Sequence, residues 1–566
     1  MQSKTSAGRR YLALAASGIV ALTLAACGGD DPAEPGTTGG TGGTTTEGQL
    51  VFAGSAEPVV IDGAWVSDGE SIRVIRQIFE GLVTTEQGGT AIQPALASEW
   101  TTTDDGLEWT FTLREGVTFH DDTPFNAEAV CFNFDRWYNF SGPIQQSAAS
   151  SYYYQTVFGG FAENDPAYDY LGESLYESCE ATDDTTAVIT LTRPSSTFLT
   201  ALSLPAFSMG SPTAIEEFGA DDVGGDGEAP EFTGTYGYEN PIGTGPYMFD
   251  AWERGERVVL TANPNYWGEN KPSIGTLIFR AIADGPARRT ALEAGEIDGY
   301  DLVDPADAAA LEEAGFTILQ RPAFNVGYIG FNSSIPPLDN PLVRQAVAHA
   351  IDKETLLSTK YPEGAQVATQ FQPPELFGWS DSVEEYAYDP AAAEALLAES
   401  GVANPTIEFW YPTDVSRPYM PDPEGNFELI KANLEAVGFT VNAQSAPWNP
   451  DYLAANQAGT QQMYLLGWTG DFGDPDNFIG TFFQTEQPQW GFNEPEIFDA
   501  LDAAEAETDE ATRTTMYQDI NNMIMEFLPG VPYVHTQPAI AFRAGIDGYV
   551  PSPVNNEDFA TVTITE

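Results

Sequence analysis

Apolar and polar residues recur along this chain with two different periods. Leu107, Trp109, Phe111 and Leu113 alternate with polar neighbours, which places them on one buried face of a strand over Leu107–Arg114. Further on, Leu342, Val343, Ala346, Val347, Ala350 and Ile351 fall at helical spacing. The spacing predicts a helix from Leu342 to Leu357, opened by an Asp339 cap with Pro341 in its first turn. Similar periodicity predicts helices over Ser71–Leu82, Pro390–Glu399, Phe427–Val437 and Glu510–Phe527. The repeated switch between the two periods argues a mixed α/β chain. Tyr152–Glu180, rich in Tyr and Gly, and Ala220–Glu239, rich in Gly and acids, read as loops. Neither a long internal repeat nor a heptad run is visible.

The longest apolar run, Tyr11–Ala26, has neither period. It follows the cations Lys4, Arg9 and Arg10 and runs through small residues into Cys27. It is shorter than the roughly 20 residues that span a bilayer, and its layout is that of a lipoprotein leader. The expectation is a signal peptide over residues 1–26 and a lipid on Cys27, with the mature chain held at the outer face of the cytoplasmic membrane. Residues 27–48 are dominated by Gly and Thr and cannot bury apolar surface, so they read as a flexible linker. At roughly 150 residues per domain, the remainder allows three or four folding units.

Charge narrows the function classes. There are 84 acidic against 22 basic residues, a formal charge of −62, with the acids spread along the chain. A polyanion of this kind is a poor partner for nucleic acid, where neutralising phosphates dominates affinity. With Cys27 lipidated, Cys131 and Cys179 remain. In an oxidising compartment such a pair favours a disulfide over two unconnected thiols, and Cys179 stands in a polar stretch that would expose a free thiol.

Enzyme signatures are largely missing. His120, His349 and His535 stand in no metal-ligand spacing, and no Gly-x-Ser-x-Gly elbow occurs. Asp471, Asp474 and Asp476 lack the register and distal Glu of a calcium loop, so no metal or cofactor is expected. The abundance of acids leaves a hydrolase with paired carboxylates as an alternative. More suggestive are Arg417, in Ser-Arg-Pro-Tyr, and Trp468 with Asp471. A guanidinium can fork a carboxylate, a carboxylate can accept an ammonium, and an indole can cover an apolar side chain. Together they could hold a zwitterion.

Several separated blocks then carry a family resemblance over about residues 50–560. They are Phe79-Glu80-Gly81-Leu82, Pro94-Ala95-Leu96-Ala97, Leu113 through Asp121, Pro124-Phe125, and Ala127 through Val130. Gly243-Thr244-Gly245-Pro246-Tyr247, Asn265-Tyr266-Trp267, Val343 through Ala346, Ala350-Ile351-Asp352 and Gly467-Trp468 follow in order. In this order they resemble family 5 of the extracellular solute-binding proteins, the dipeptide/oligopeptide/nickel-binding class that serves ABC transporters. One departure is visible: Asp121-Asp122 stands where the family signature has Asp-Gly.

The resemblance implies a two-lobed periplasmic-binding-protein-like α/β fold (type II, cluster C) with an extra subdomain in lobe I. Lobe I would comprise residues 49–81, 235–324 and 533–566, the subdomain 82–234, and lobe II 325–532. It implies a monomeric receptor, not an enzyme, that captures a small peptide between its lobes for an ABC permease and its ATPase subunits. Gly467–Phe478 is closest to the dipeptide-binding branch. There the family assigns the ligand ammonium to the position of Asp471 and the ligand carboxylate to that of Arg417. The alternatives are another solute, such as an oligosaccharide or opine stacked on Trp468, Trp448 and Trp410, or a nickel chelate.

Overall fold

The computed structural model describes residues 48–145, 151–168, 170–226 and 229–565. The leader, Cys27 and the linker up to residue 47 lie outside the described residues. Among the described residues no helix is long and apolar enough to cross a membrane.

Two sheets organise the chain. The first has seven strands, in the order Tyr247–Glu253, Arg257–Ala262, Thr276–Ala281, Gln49–Gly54, Gly299–Asp301, Ala539–Phe542 and Thr317–Gln320. Its central strand shows why both faces are covered. Leu50 and Phe52 enter one apolar cluster while the alternate Val51 and Ala53 enter another on the opposite face. The second sheet has six strands, in the order Gln366–Val367, Gly530–His535, Asn325–Phe331, Met463–Thr469, Thr406–Thr413 and Thr440–Pro447. It carries a separate core around Val326, Ile329, Val347, Phe409 and Leu465.

A smaller antiparallel sheet of four strands joins Ala97–Thr102, Glu108–Leu113, Thr186–Leu191 and Tyr176–Asp183. The alternating segment at 107–114 supplies its second strand, with Phe111 and Leu113 buried. Cys131 on the helix Ala127–Tyr138 and Cys179 on the edge strand form a disulfide, their Cα atoms 5.1 Å apart. Asp122 sits at φ 64°, so the position where the family signature has Gly does need the left-handed region, which Asp tolerates better than most residues.

The chain crosses between the two large sheets twice, after Thr317–Gln320 and after Gly530–His535. The crossings run side by side. Arg321 N–H donates to the Pro538 carbonyl at 2.9 Å, and Asn325 and Thr536 share three hydrogen bonds of 3.0, 2.9 and 3.1 Å. Beneath them lies a buried ionic square. Arg73 pairs with Asp301 and with Glu557 (3.0 Å), and Arg321 pairs with Asp301 and Glu557, each at 2.5 Å. The two guanidiniums hold the Asp301 carboxyl well below the usual range, overcoming the opposing effect of burial.

Several expectations from period and composition are corrected, among them the helix expected over 427–437, which spans Pro423–Ala436. The helix expected over 342–357 is two helices, Pro341–Ala350 and Lys353–Lys360. Ile351 is extended, and Asp352 caps the second by accepting from Thr355 N–H. Asn340, not Asp339, caps the first. The helix expected to reach Leu82 spans Gly69–Ile78 and stops because another segment takes its last carbonyl: Gly245 N–H donates to Ile78 O at 2.9 Å. A Cβ on Gly243 would stand 2.1 Å from that same oxygen. Both expected loops contain regular structure. Tyr152–Phe158 is a helix and Tyr176–Asp183 a strand, with Tyr153, Tyr154 and Tyr176 buried, so these tyrosines are core residues. Val223–Asp226 pairs with Ala229–Phe232, and Tyr236–Glu239 is a short helix.

Candidate functional site

Strands Thr406–Thr413 and Met463–Thr469 run parallel, pairing Phe409 with Met463 and Trp410 with Tyr464. Their carboxyl ends therefore open on the same edge of the second sheet, the edge where α/β sheets gather ligands. Arg417 and Asp471 each lie eight residues beyond the Phe409–Met463 pair, on the two loops that leave this edge. The Arg417 loop is a tight turn: Arg417 and Met420 exchange backbone bonds of 3.1 and 2.9 Å. Thr536 at the second crossing fixes it by donating to Pro418 O at 2.8 Å. Tyr419 lies so close over Gly467 that a Cβ there would meet its ring at 2.2 Å. This close approach explains a glycine directly before Trp468.

Asp471 is held from two sides. From its own loop, Asn477 Nδ2 donates to Oδ2 at 3.3 Å, and Asp471 N–H donates to Asn477 Oδ1 at 2.7 Å. Trp468 Nε1 reaches the same Asn477 oxygen at 3.4 Å, so Trp468 and Asp471 share one anchor. The loop is stiffened by Asp474, which Arg513 grips with two bonds of 2.8 and 2.9 Å. From the other side, Tyr153 O–H donates to Asp471 Oδ1 at 2.7 Å. Burial pushes the Asp471 carboxyl up to about 6, against the pull of the Tyr153 and Asn477 bonds and the positive charge of Arg76. The next residue, Phe472, packs into the first sheet's core cluster.

Arg417 is a cation without an anion. Its guanidinium lies over the Trp448 ring at 4.5 Å, and its Nε is buried without a hydrogen-bond partner. Among the described residues it pairs with no carboxylate. Trp448 carries this guanidinium and stacks along Tyr452 (6.0 Å between centroids), so it is not a bare platform for a sugar ring. Trp468 is half-buried, its edge against Phe482 at 5.9 Å. Cys131 and Cys179 belong to the small sheet and its helix.

Three residues in reach of Asp471 were not found by sequence reasoning: Asn477, Tyr153 and Arg76. Tyr153 sits in a run of three tyrosines that reads as loop composition. Arg76 differs in no local way from Arg73, one turn earlier.

The resemblance blocks meet elsewhere. Glu80 accepts hydrogen bonds from Thr244 Oγ1 (2.7 Å), Tyr266 O–H (2.8 Å) and Trp267 Nε1 (2.7 Å). His120 bonds the Gly245 carbonyl at 2.9 Å, and Arg114 lies over Trp267 at 4.9 Å. Burial pushes Glu80 up to about 7 despite the three donors. His349 and His535 likewise bond backbone carbonyls, of Ala387 (2.8 Å) and Asn325 (2.6 Å). Among the described residues no three His, Cys, Asp or Glu are grouped to hold a metal ion.

Residues 91–490 match the family described as bacterial extracellular solute-binding proteins, family 5. The dipeptide-binding protein of Escherichia coli K12 is 32% identical over 500 residues, covering 86% of this chain and 89% of that protein. Heme-binding protein A of Haemophilus influenzae is 30% identical, covering 96% of this chain and 97% of that one. The periplasmic binding protein DppA of Helicobacter pylori, solved with the peptide STSA, superposes with a TM-score of 0.76 at 27% identity, over 92% of this chain and 99% of its own.

Proposed function

The chain belongs to the bacterial extracellular solute-binding proteins of family 5, and we propose that within it the protein captures short peptides for an ABC permease and its ATPase subunits. One observation carries the reading. Arg417, a cation lacking a carboxylate among the described residues, and Asp471, a half-buried acid, leave the same edge of adjacent parallel strands. Asp471 takes the peptide ammonium, Arg417 its terminal carboxylate, and Trp468 lines the wall between them. The dipeptide named for the Escherichia coli relative and the four-residue STSA of the Helicobacter pylori protein are ligands of this chemistry. The heme of the Haemophilus influenzae relative is not, because its ionised groups are carboxylates and Asp471 would repel them.

The two jaws are residues 49–81, 235–324 and 533–566 with the subdomain 82–234, and residues 325–532. They close on the ligand about the paired crossings, so the event is capture, not turnover. The receptor acts as a monomer held to the outer face of the cytoplasmic membrane by a lipid on Cys27. Mass spectrometry of the membrane fraction should then find a mature chain beginning at a lipidated Cys27, and Cys27→Ala should release the protein.

Calorimetry with Ala-Ala, N-acetyl-Ala-Ala and Ala-Ala-amide tests the clamp. Each block removes one charge-assisted pair and should weaken binding at least about tenfold. Equal affinity for all three peptides rejects the clamp, and peptide recovered in cleaved form rejects capture in favour of hydrolysis.

A further inference from the structure

Arg73 and Arg76 stand one turn apart on the helix Gly69–Ile78, yet their surroundings differ sharply. Arg73 meets three carboxylates, Glu70, Asp301 and Glu557. Arg76 meets none within ion-pair distance among the described residues. Its Nη1 donates to Asn556 Oδ1 at 3.1 Å, and its Nε is buried with no partner. The Asn556 amide is itself fixed, donating to Thr84 Oγ1 (3.1 Å), Thr85 O (3.1 Å) and Thr85 Oγ1 (2.9 Å), so it holds the guanidinium in place without neutralising it.

Asn556 ties Arg76 to Thr84 and Thr85 in the hairpin whose turn residue Thr90 lies against Gly473 of the Asp471 loop, where a Cβ would stand 2.7 Å from the Thr90 side chain. This brings Arg76 within electrostatic reach of Asp471 and Tyr153, at the end of the site assigned to the ligand ammonium. No ion pair joins Arg76 to Asp471, whose oxygens accept from Tyr153 and Asn477 and keep lone pairs for a further donor. Glu557, also within reach, is bound by Arg73 and Arg321. Burial uncompensated by a close anion pushes Arg76 down to about 10, which still leaves it charged near neutrality. Arg288 and Arg344 also lack a carboxylate, but backbone carbonyls surround them, two on Arg288 and three on Arg344, whereas half-buried Arg76 has a single amide oxygen.

We infer that Arg76 is a specificity-determining residue that selects peptides whose first residue carries an acidic side chain. The side chain of that residue springs from the carbon that bears the ammonium. A ligand with its ammonium on Asp471 thus presents the side chain to the groups around Asp471, and a carboxylate there supplies the anion that Arg76 lacks. A lysine there would set two cations together in a water-poor site. The inference rests on the reading that Asp471 takes the ammonium.

Calorimetry at pH 7.5 with Glu-Ala, Ala-Ala and Lys-Ala tests it on the mature protein and on Arg76→Gln and Arg76→Lys. The unmodified protein should bind Glu-Ala at least tenfold more tightly than Lys-Ala. Arg76→Gln should shrink that ratio below threefold, and Arg76→Lys should keep its direction. The thermal midpoint of each variant is recorded alongside. A Glu-Ala to Lys-Ala ratio near one in the unmodified protein, or a ratio untouched by Arg76→Gln, overturns the assignment while Ala-Ala binding leaves the peptide reading standing. Failure of all three peptides to bind the unmodified protein overturns both.

Discussion

Glu80 and Asp471 are both half-buried acids raised by desolvation, to about 7 and about 6, and both are bonded by neutral donors. The difference lies in where the donors come from. Thr244, Tyr266 and Trp267 come from the first sheet's side of the molecule, like Glu80 itself, and they close the network completely. Asp471 takes one donor from its own loop and one from Tyr153, 318 residues away on the opposite side. A network whose members all move together is scaffold. One shared between two bodies can be opened and offered to a ligand.

The largest effect should come from breaking the scaffold. At pH 5, where Glu80 is protonated, Glu80→Ala should lower unfolding stability by about 3–5 kcal/mol, because several buried donors lose their acceptor. Asp471→Ala at the same pH should change stability far less, and urea unfolding compares the two directly. Next is the pH dependence of stability. The folded chain keeps the Glu80 proton to about pH 7, whereas the unfolded chain releases it near 4.5. The folded state therefore binds more protons across that window, and stability falls as pH rises, by about 3 kcal/mol from this group. Glu80→Gln should flatten that slope.

The binding side should respond the opposite way. Asp471→Ala should weaken a dipeptide at least about tenfold by calorimetry. Because Asp471 must be ionised to accept an ammonium, affinity should fall about tenfold per pH unit below pH 6. Asp471→Asn should remove that dependence, and Glu80→Gln should leave it intact. The smallest effect is Tyr153→Phe, which deletes one donor to the Asp471 carboxylate. The midpoint of the affinity–pH profile should rise by about one unit. A midpoint that stays put would place Asp471 in a single body after all and dissolve the contrast with Glu80.

The same contrast explains what could be read in the sequence. Glu80, Thr244, Tyr266 and Trp267 lie in blocks that mark the family, and these blocks turn out to build one scaffold cluster. Asp471 and Arg417 stand out by chemistry as residues that could hold a zwitterion, but only the resemblance assigns their roles, because an acid and a base 54 positions apart show no local pattern. Strand 108–113 and helix Glu510–Phe527 follow directly from period. Asp352, read as part of one long helix, caps the second of two, since periodicity registers apolar spacing and not where a carboxylate can accept a backbone N–H. Arg76 and Tyr153 acquire their roles only from a loop that arrives from the far side of the fold.

Phe472 shares this divided allegiance, since its ring is buried in the core of the other body. Withdrawing it as the jaws part would wet an aromatic ring, a cost of roughly 1.5–3 kcal/mol that is mainly entropic near room temperature. Such a contact carries a negative heat capacity on closure and loosens as water cools. The balance between the shut and gaping forms therefore drifts with temperature even when no ligand is present, and a cell growing in the cold would display more of its receptors agape.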